Sequence, residues 1–150
     1  MEMTYALRAD GMLPHIEIAG TDFTIDWRLR ELRETAAPWN NIQLHDAEMS
    51  PEGEEYYLLY NTVTREEYEF DDDVIEVPED VVFIKVPYEV RLDPYAVAVQ
   101  YGIDPEEFVQ KFPFEQNLKA QVRPLSETNI ARLTEDNRQW NQQQSPGPGR

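Results

Sequence analysis

Through the first ninety residues, short stretches of alternating apolar and polar residues recur, each bounded by turn-forming residues. A period of two puts alternate side chains on opposite faces of a strand, so one face of each stretch can be buried. His15-Ile16-Glu17-Ile18 and Phe23-Thr24-Ile25-Asp26-Trp27 flank Ala19-Gly20-Thr21-Asp22, and the three together read as a hairpin. Ile42 and Leu44 mark a further strand. Glu55 to Tyr60 is apolar on both faces, with Tyr56, Leu58 and Tyr60 on one and Tyr57 and Leu59 on the other, as in a strand covered from both sides. Glu67 to Phe70 alternates with Tyr68 and Phe70 inward. Val81 to Val86 is the strongest strand signal, limited by Pro87. Leu118 to Leu125 predicts a last strand with Leu118, Ala120 and Val122 on one face, and Met3 to Arg8 a short first one.

Elsewhere the period lengthens. Leu29 and Leu32 are three apart among charged neighbours, which predicts one or two helical turns over Arg28 to Thr35. Residues 93–113 carry two helix starts in succession. Asp93-Pro94 and Asp104-Pro105 each place a capping carboxylate before a proline at the first helical position. Gly102 falls where a left-handed C-cap belongs, and Pro113 ends the second helix. These signals predict an αα-hairpin. A last helix is expected over 128–140, capped by Ser126 or Thr128, with Ile130, Leu133 and Trp140 as apolar positions. Packing back on the domain is favoured for it over docking on a partner, because Trp140 would otherwise be exposed.

Strands first and helices afterwards imply an α+β fold: an antiparallel, hairpin-rich sheet with the αα-hairpin and the C-terminal helix against it. A chain of 150 residues suits one domain, placed at 1–140. Residues 141–150 are polar and of low complexity, so a disordered tail is expected there.

Charge is distributed unevenly. The chain has 30 acidic and 13 basic residues, a net charge of −17. Residues 41–115 hold 20 of the acids against 4 bases, whereas residues 116–150 are net +2. A field of this sign repels phosphate backbones and anionic membranes and attracts basic proteins. No apolar run approaches the ~18 residues of a membrane span. Met1-Glu2-Met3-Thr4-Tyr5 lacks the basic-then-apolar pattern of a secretory signal, so a cytoplasmic location is the expectation. The absence of cysteine excludes disulfides, a thiolate nucleophile and thiolate-ligated metal.

No catalytic constellation emerges from the residues, and no cofactor or metal is expected. The 93–113 pair superficially suits a DNA-binding helix-turn-helix, but its second helix exposes Glu106 and Glu107 where phosphate contacts need lysine or arginine. Asp71-Asp72-Asp73 offers oxygen ligands without the spacing of a calcium loop, so a solvated acidic loop is expected. His15 and His45 stand apart with no metal-ligand spacing. Ser50, Ser126 and Ser145 lie in no nucleophile turn, and no glycine-rich phosphate loop occurs.

Three functions follow as expectations. The first is a non-enzymatic interaction or accessory module engaging a basic protein partner through Trp39, Tyr57, Asp71, Asp72, Asp73, Tyr88, Glu106 and Glu107. Tyr and Trp are favoured anchors in such interfaces. The second is a nucleic-acid mimic that inhibits a DNA-binding protein. The third is a small hydrolase using carboxylates or a divalent ion, which requires a pocket with at least two acids of raised pKa near His15, His45 or residues 69–76.

Overall fold

Two antiparallel sheets share one core in the structure, a computed structural model that describes residues 2–144. The first sheet runs β1 (His15–Ile18), β2 (Thr21–Asp26), β3 (Glu31–Glu34) and β4 (Asn41–Gln43), each strand paired with the next. The second has β5 (Glu48–Met49), β6 (Glu55–Asn61), β8 (Val81–Pro87) and β9 (Gln121–Arg123) in that order, with β7 (Glu66–Glu67) also pairing with β6. The helices are α1 (Tyr5–Ala9), α2 (Glu89–Leu92), α3 (Pro94–Tyr101), α4 (Pro105–Lys111) and α5 (Ile130–Gln144). The α+β class and its antiparallel, hairpin-rich character are as the alternation implied, although the strands divide between two sheets.

The first hairpin turns on two residues. Ile18 pairs with Thr21, so Ala19 and Gly20 make the whole reversal, both at positive φ (48° and 86°). That geometry matches the twist of the flanking strands, and glycine meets it without steric cost. Ile16 then faces Phe23, and Ile25 faces Leu32 across the next pair. In β6, Tyr56, Leu58 and Tyr60 are buried while Tyr57 and Leu59 are half-buried, and seven residues pair with β8. Ile18, Ile25, Leu32 and Ile84 have no exposed surface. Burying each such side chain contributes about 1.5–3 kcal/mol.

Residues 118–123 join the sheets. Glu17 N–H donates to the Leu118 carbonyl and Ala120 N–H to the Glu17 carbonyl, both at 2.9 Å, so this segment extends the β1 edge before pairing with β8 as β9. The change of sheet also changes face. Leu118 and Ala120 are buried, but Val122, expected on the same face, is 42% exposed.

Three local expectations are corrected. Arg28 to Thr35 is not helical: a 3₁₀ turn at Trp27–Leu29 leads into β3. The Asp26 carboxylate accepts from Leu29 N–H, and Arg30 at φ 55° turns the chain back. Leu32 is then sandwiched between Ile25 and Ile42, whereas Leu29, its partner in the helical spacing, is 46% exposed. Met3 to Arg8 is not a strand; Thr4 Oγ1 accepts from Leu7 N–H at 3.2 Å and caps α1. The tail boundary also moves, because α5 continues through Gln144. Glutamine is a good helix former, and a polar stretch can prolong a helix that is anchored elsewhere. The remaining tail positions, 145–150, lie outside the described residues.

The helical pair forms where its punctuation lies. Asp93 accepts from Ala96 N–H, Gly102 adopts φ 70° at the end of α3, and Asp104 accepts from Glu106 N–H. Val97, Ala98 and Val109 are buried, whereas Tyr101 and Phe112 are exposed. At the C-terminus, Ile130 and Thr134 of α5 are buried, and the Asn137 amide donates to the carbonyls of Asp72 and Val74. The helix therefore packs back on the fold, yet Trp140 is still 60% exposed.

Asp93 does more than cap a helix. Its carboxylate is fully buried and accepts from Arg8 Nε at 3.0 Å, tying α1 to the start of α3. Burial pushes its pKa up, against the pull of the Arg8 guanidinium and the Ala96 amide. Removing one partner of a buried pair leaves the other uncompensated. Asp93→Ala should lower stability by about 3 kcal/mol, read from the urea unfolding midpoint, while Asp93→Asn, which retains the cap, should lose less.

Candidate functional site: an acidic cleft beside Trp39

The connection between β3 and β4 is a tight loop. Ala37 N–H donates to the Glu34 carbonyl, Asn40 N–H to the Ala37 carbonyl, and Glu34 N–H to the Asn40 carbonyl. Trp39 stands at its tip after Pro38 and is 82% exposed. On the neighbouring sheet, the turn between β6 and β7 is fixed by Asn61, whose side-chain oxygen accepts from Val63 and Thr64 N–H. Such an Asx turn is stable because a short amide side chain supplies the acceptor that the backbone lacks.

A polar knot joins the two turns. The Asn40 side-chain amide donates to Glu34 Oε1 at 2.9 Å and to the Arg65 carbonyl at 2.7 Å. Arg65 Nε lies 3.1 Å from the same Glu34 oxygen. Glu34 is buried, so its charge requires these partners. Between the turns opens a cleft of about 540 Å³, whose charged lining is Glu34, Arg65, Glu66, Glu67 and Glu69. Among the described residues Arg65 is its one cation, and it is engaged by Glu34. Among the described residues Glu66, Glu67 and Glu69 have no cationic partner. Burial, reinforced by the neighbouring Glu69 carboxylate, raises the Glu67 pKa above its ordinary value.

These parts suit a guanidinium or ammonium group. An indole face attracts a cation, and carboxylates offer it charge-assisted hydrogen bonds. A metal ion is a poorer fit, because no three acids or histidines among the described residues are grouped to hold one.

Of the residues singled out in the sequence, only Trp39 lines this cleft. Tyr57 lines another, of about 480 Å³, where its ring packs against Phe83 and already has Lys85 Nζ 5.7 Å from its centre. Asp71, Asp72 and Asp73 lie exposed in a loop held by α5 through Asn137. Tyr88 is half-buried at the start of α2, its N–H bonded to the Glu54 carbonyl. Glu106 and Glu107 are exposed in the first turn of α4. No hydrogen bond, ion pair or ring contact among the described residues joins any two of these eight.

Glu34, Asn40 and Arg65, and the role of Glu66 and Glu69, are missed by sequence reasoning. Their only signal is the crowding of acids after the 61–65 reversal, and nothing local connects that reversal to Trp39. The two histidines are both exposed. His15 Nδ1 is 2.6 Å from Asp22 Oδ2, which also accepts from the Thr35 hydroxyl. The two carboxyls of raised pKa, Glu67 and Asp93, lie in different parts of the fold. Among the described residues no helix is long and apolar enough to cross a membrane. No family model, curated protein or solved structure matches the chain.

Proposed function

We propose that this protein is a non-enzymatic interaction module that seats a basic side chain of a partner protein in the cleft beside Trp39. The observation that carries this reading is the exposed indole next to three carboxylates with no cation of their own. A guanidinium on that indole gains about 0.5–2 kcal/mol, and the unpaired acids supply the hydrogen bonds that orient it. Asp71, Asp72, Asp73, Glu106 and Glu107 contribute at longer range, raising the rate at which a basic partner arrives. Tyr57 and Tyr88 stand outside the cleft and act, in this reading, as flanking surface. The same proposal places the protein in the cytoplasm and keeps it from binding nucleic acid or anionic membrane directly.

The direct test is the affinity of a hexa-arginine peptide at low and moderate salt. Trp39→Ala should weaken binding about tenfold, and Glu66→Gln with Glu69→Gln should weaken it further. Asp71→Asn, Asp72→Asn and Asp73→Asn together remove more charge from another place and should cost far less. Equal losses from the two sets would mean that overall charge, and not the cleft, holds the peptide.

Protonation adds a second test. In the folded protein Glu67 holds its proton more tightly than in the unfolded chain, because its folded pKa is raised. Its charged form therefore opposes folding at neutral pH, and that opposition fades as pH falls through the raised value. A bound cation stabilises the carboxylate and lowers the pKa again. Peptide binding should accordingly release protons and weaken as pH falls from 7 into the carboxylate range, and Glu67→Gln should flatten that dependence in calorimetric titrations.

A further inference from the structure

A second cleft, of about 440 Å³, has the opposite sign and lies between α1, the 27–30 turn and α3. It brings together Arg8, Arg28 and Arg30, three of the 13 basic residues of a chain with net charge −17. Two of the guanidiniums are held in place. Arg8 lies 4.7 Å from the centre of the Tyr95 ring and is gripped through Nε by the buried Asp93. Arg30 lies 4.1 Å from the Trp27 ring and bonds to the Trp27 carbonyl and, at 3.0 Å, to Gln100 Oε1. Gln100 Oε1 also accepts from Trp27 Nε1 at 3.2 Å, so one side chain fixes both ring and cation.

The donors not used in this scaffold matter most. Among the described residues neither Nη of Arg8 has a protein acceptor, nor has Nε of Arg30, and Arg28 has no ionic or hydrogen-bond partner. Asp93 is consumed by Arg8 and by the cap of α3, and Asp26, at the start of the 27–29 turn, by Leu29 N–H and Arg33. Ala96 and Val99 give the cleft an apolar wall beside the two rings. Arginines stacked on aromatic rings lose little freedom on binding an oxyanion, and their planar forks match carboxylate and phosphate oxygens. The volume is in the range that admits a small molecule.

We propose that this cleft binds a small oxyanion ligand, a carboxylate or phosphate monoester on an aromatic or short alkyl body. The oxyanion meets Arg28 and the free edges of Arg8 and Arg30, and the body lies against Val99 and the Trp27 ring. The site is separate from the Trp39 cleft, so either can fail without the other.

Titration of the full chain with phenyl phosphate, benzoate and inorganic phosphate, followed by NMR at the Trp27 indole N–H, tests the proposal. Saturable movement of that resonance by phenyl phosphate or benzoate, tighter than by inorganic phosphate, is expected, and which of the two binds better identifies the oxyanion. Arg28→Gln, an exposed position outside the packing, should weaken binding about tenfold, and Trp39→Ala should leave it unchanged. Absence of saturation with all three probes, or equal affinity in Arg28→Gln, would overturn the proposal. Arg30→Lys adds a control that keeps the charge but not the stacked fork. It should weaken binding while leaving the unfolding midpoint near that of the parent, and unchanged affinity there would count against the geometry described.

Discussion

Glu34 is a carboxylate withdrawn from water, and its neutralisation organises the surface around it. Arg65 and Asn40 supply what water would have supplied, and in doing so they lock a turn of one sheet to a turn of the other. The lock has an electrostatic consequence. Among the described residues the only cation lining the cleft is spent on the buried acid, so the exposed Glu66 and Glu69 and the half-buried Glu67 have no counter-charge. A structural requirement thus leaves these carboxylates unpaired among the described residues. Burial, with the neighbouring Glu69 carboxylate adding to it, raises the Glu67 pKa at the same place.

What was legible in the sequence was whatever local spacing and turn chemistry decide. The Ala19-Gly20 reversal, the double-sided burial of Glu55 to Tyr60 and the Asp-Pro helix starts each concern residues within a few positions of one another. Arg28 to Thr35 shows where that reasoning fails. Two leucines three apart satisfy a helix, but they equally allow one leucine to sit on a turn and the other in a strand. The deciding contacts, Ile25 and Ile42, lie several residues away on either side and are set by sheet pairing. Val122 fails for a related reason, since a strand that passes from one sheet to another does not keep its inner face.

The cleft is a longer-range case. Trp39 stood out, with Tyr57 and Tyr88, because Trp and Tyr are favoured anchors in protein interfaces. Its acidic neighbours come from residues 66–69, brought near by a hydrogen bond from Asn40 to the Arg65 carbonyl across 25 positions. Composition located the charge in the middle of the chain but not the few acids that meet an aromatic ring. The positive cleft was hidden more thoroughly, because Arg8 lies far in sequence from Arg28 and Arg30 and the segment holding them is itself net acidic. The fold thus sorts an acidic chain into separate surfaces of opposite sign.

The tryptophan side chains allow the central claim to be read directly. Trp39 and Trp140 are both exposed, but only Trp39 borders the unpaired carboxylates. In an NMR titration with hexa-arginine at physiological salt, the Trp39 indole N–H should move saturably while that of Trp140 stays nearly still. Equal movement of both, or a response centred on residues 71–73 with Trp39 unmoved, would contradict a cation seat at this cleft.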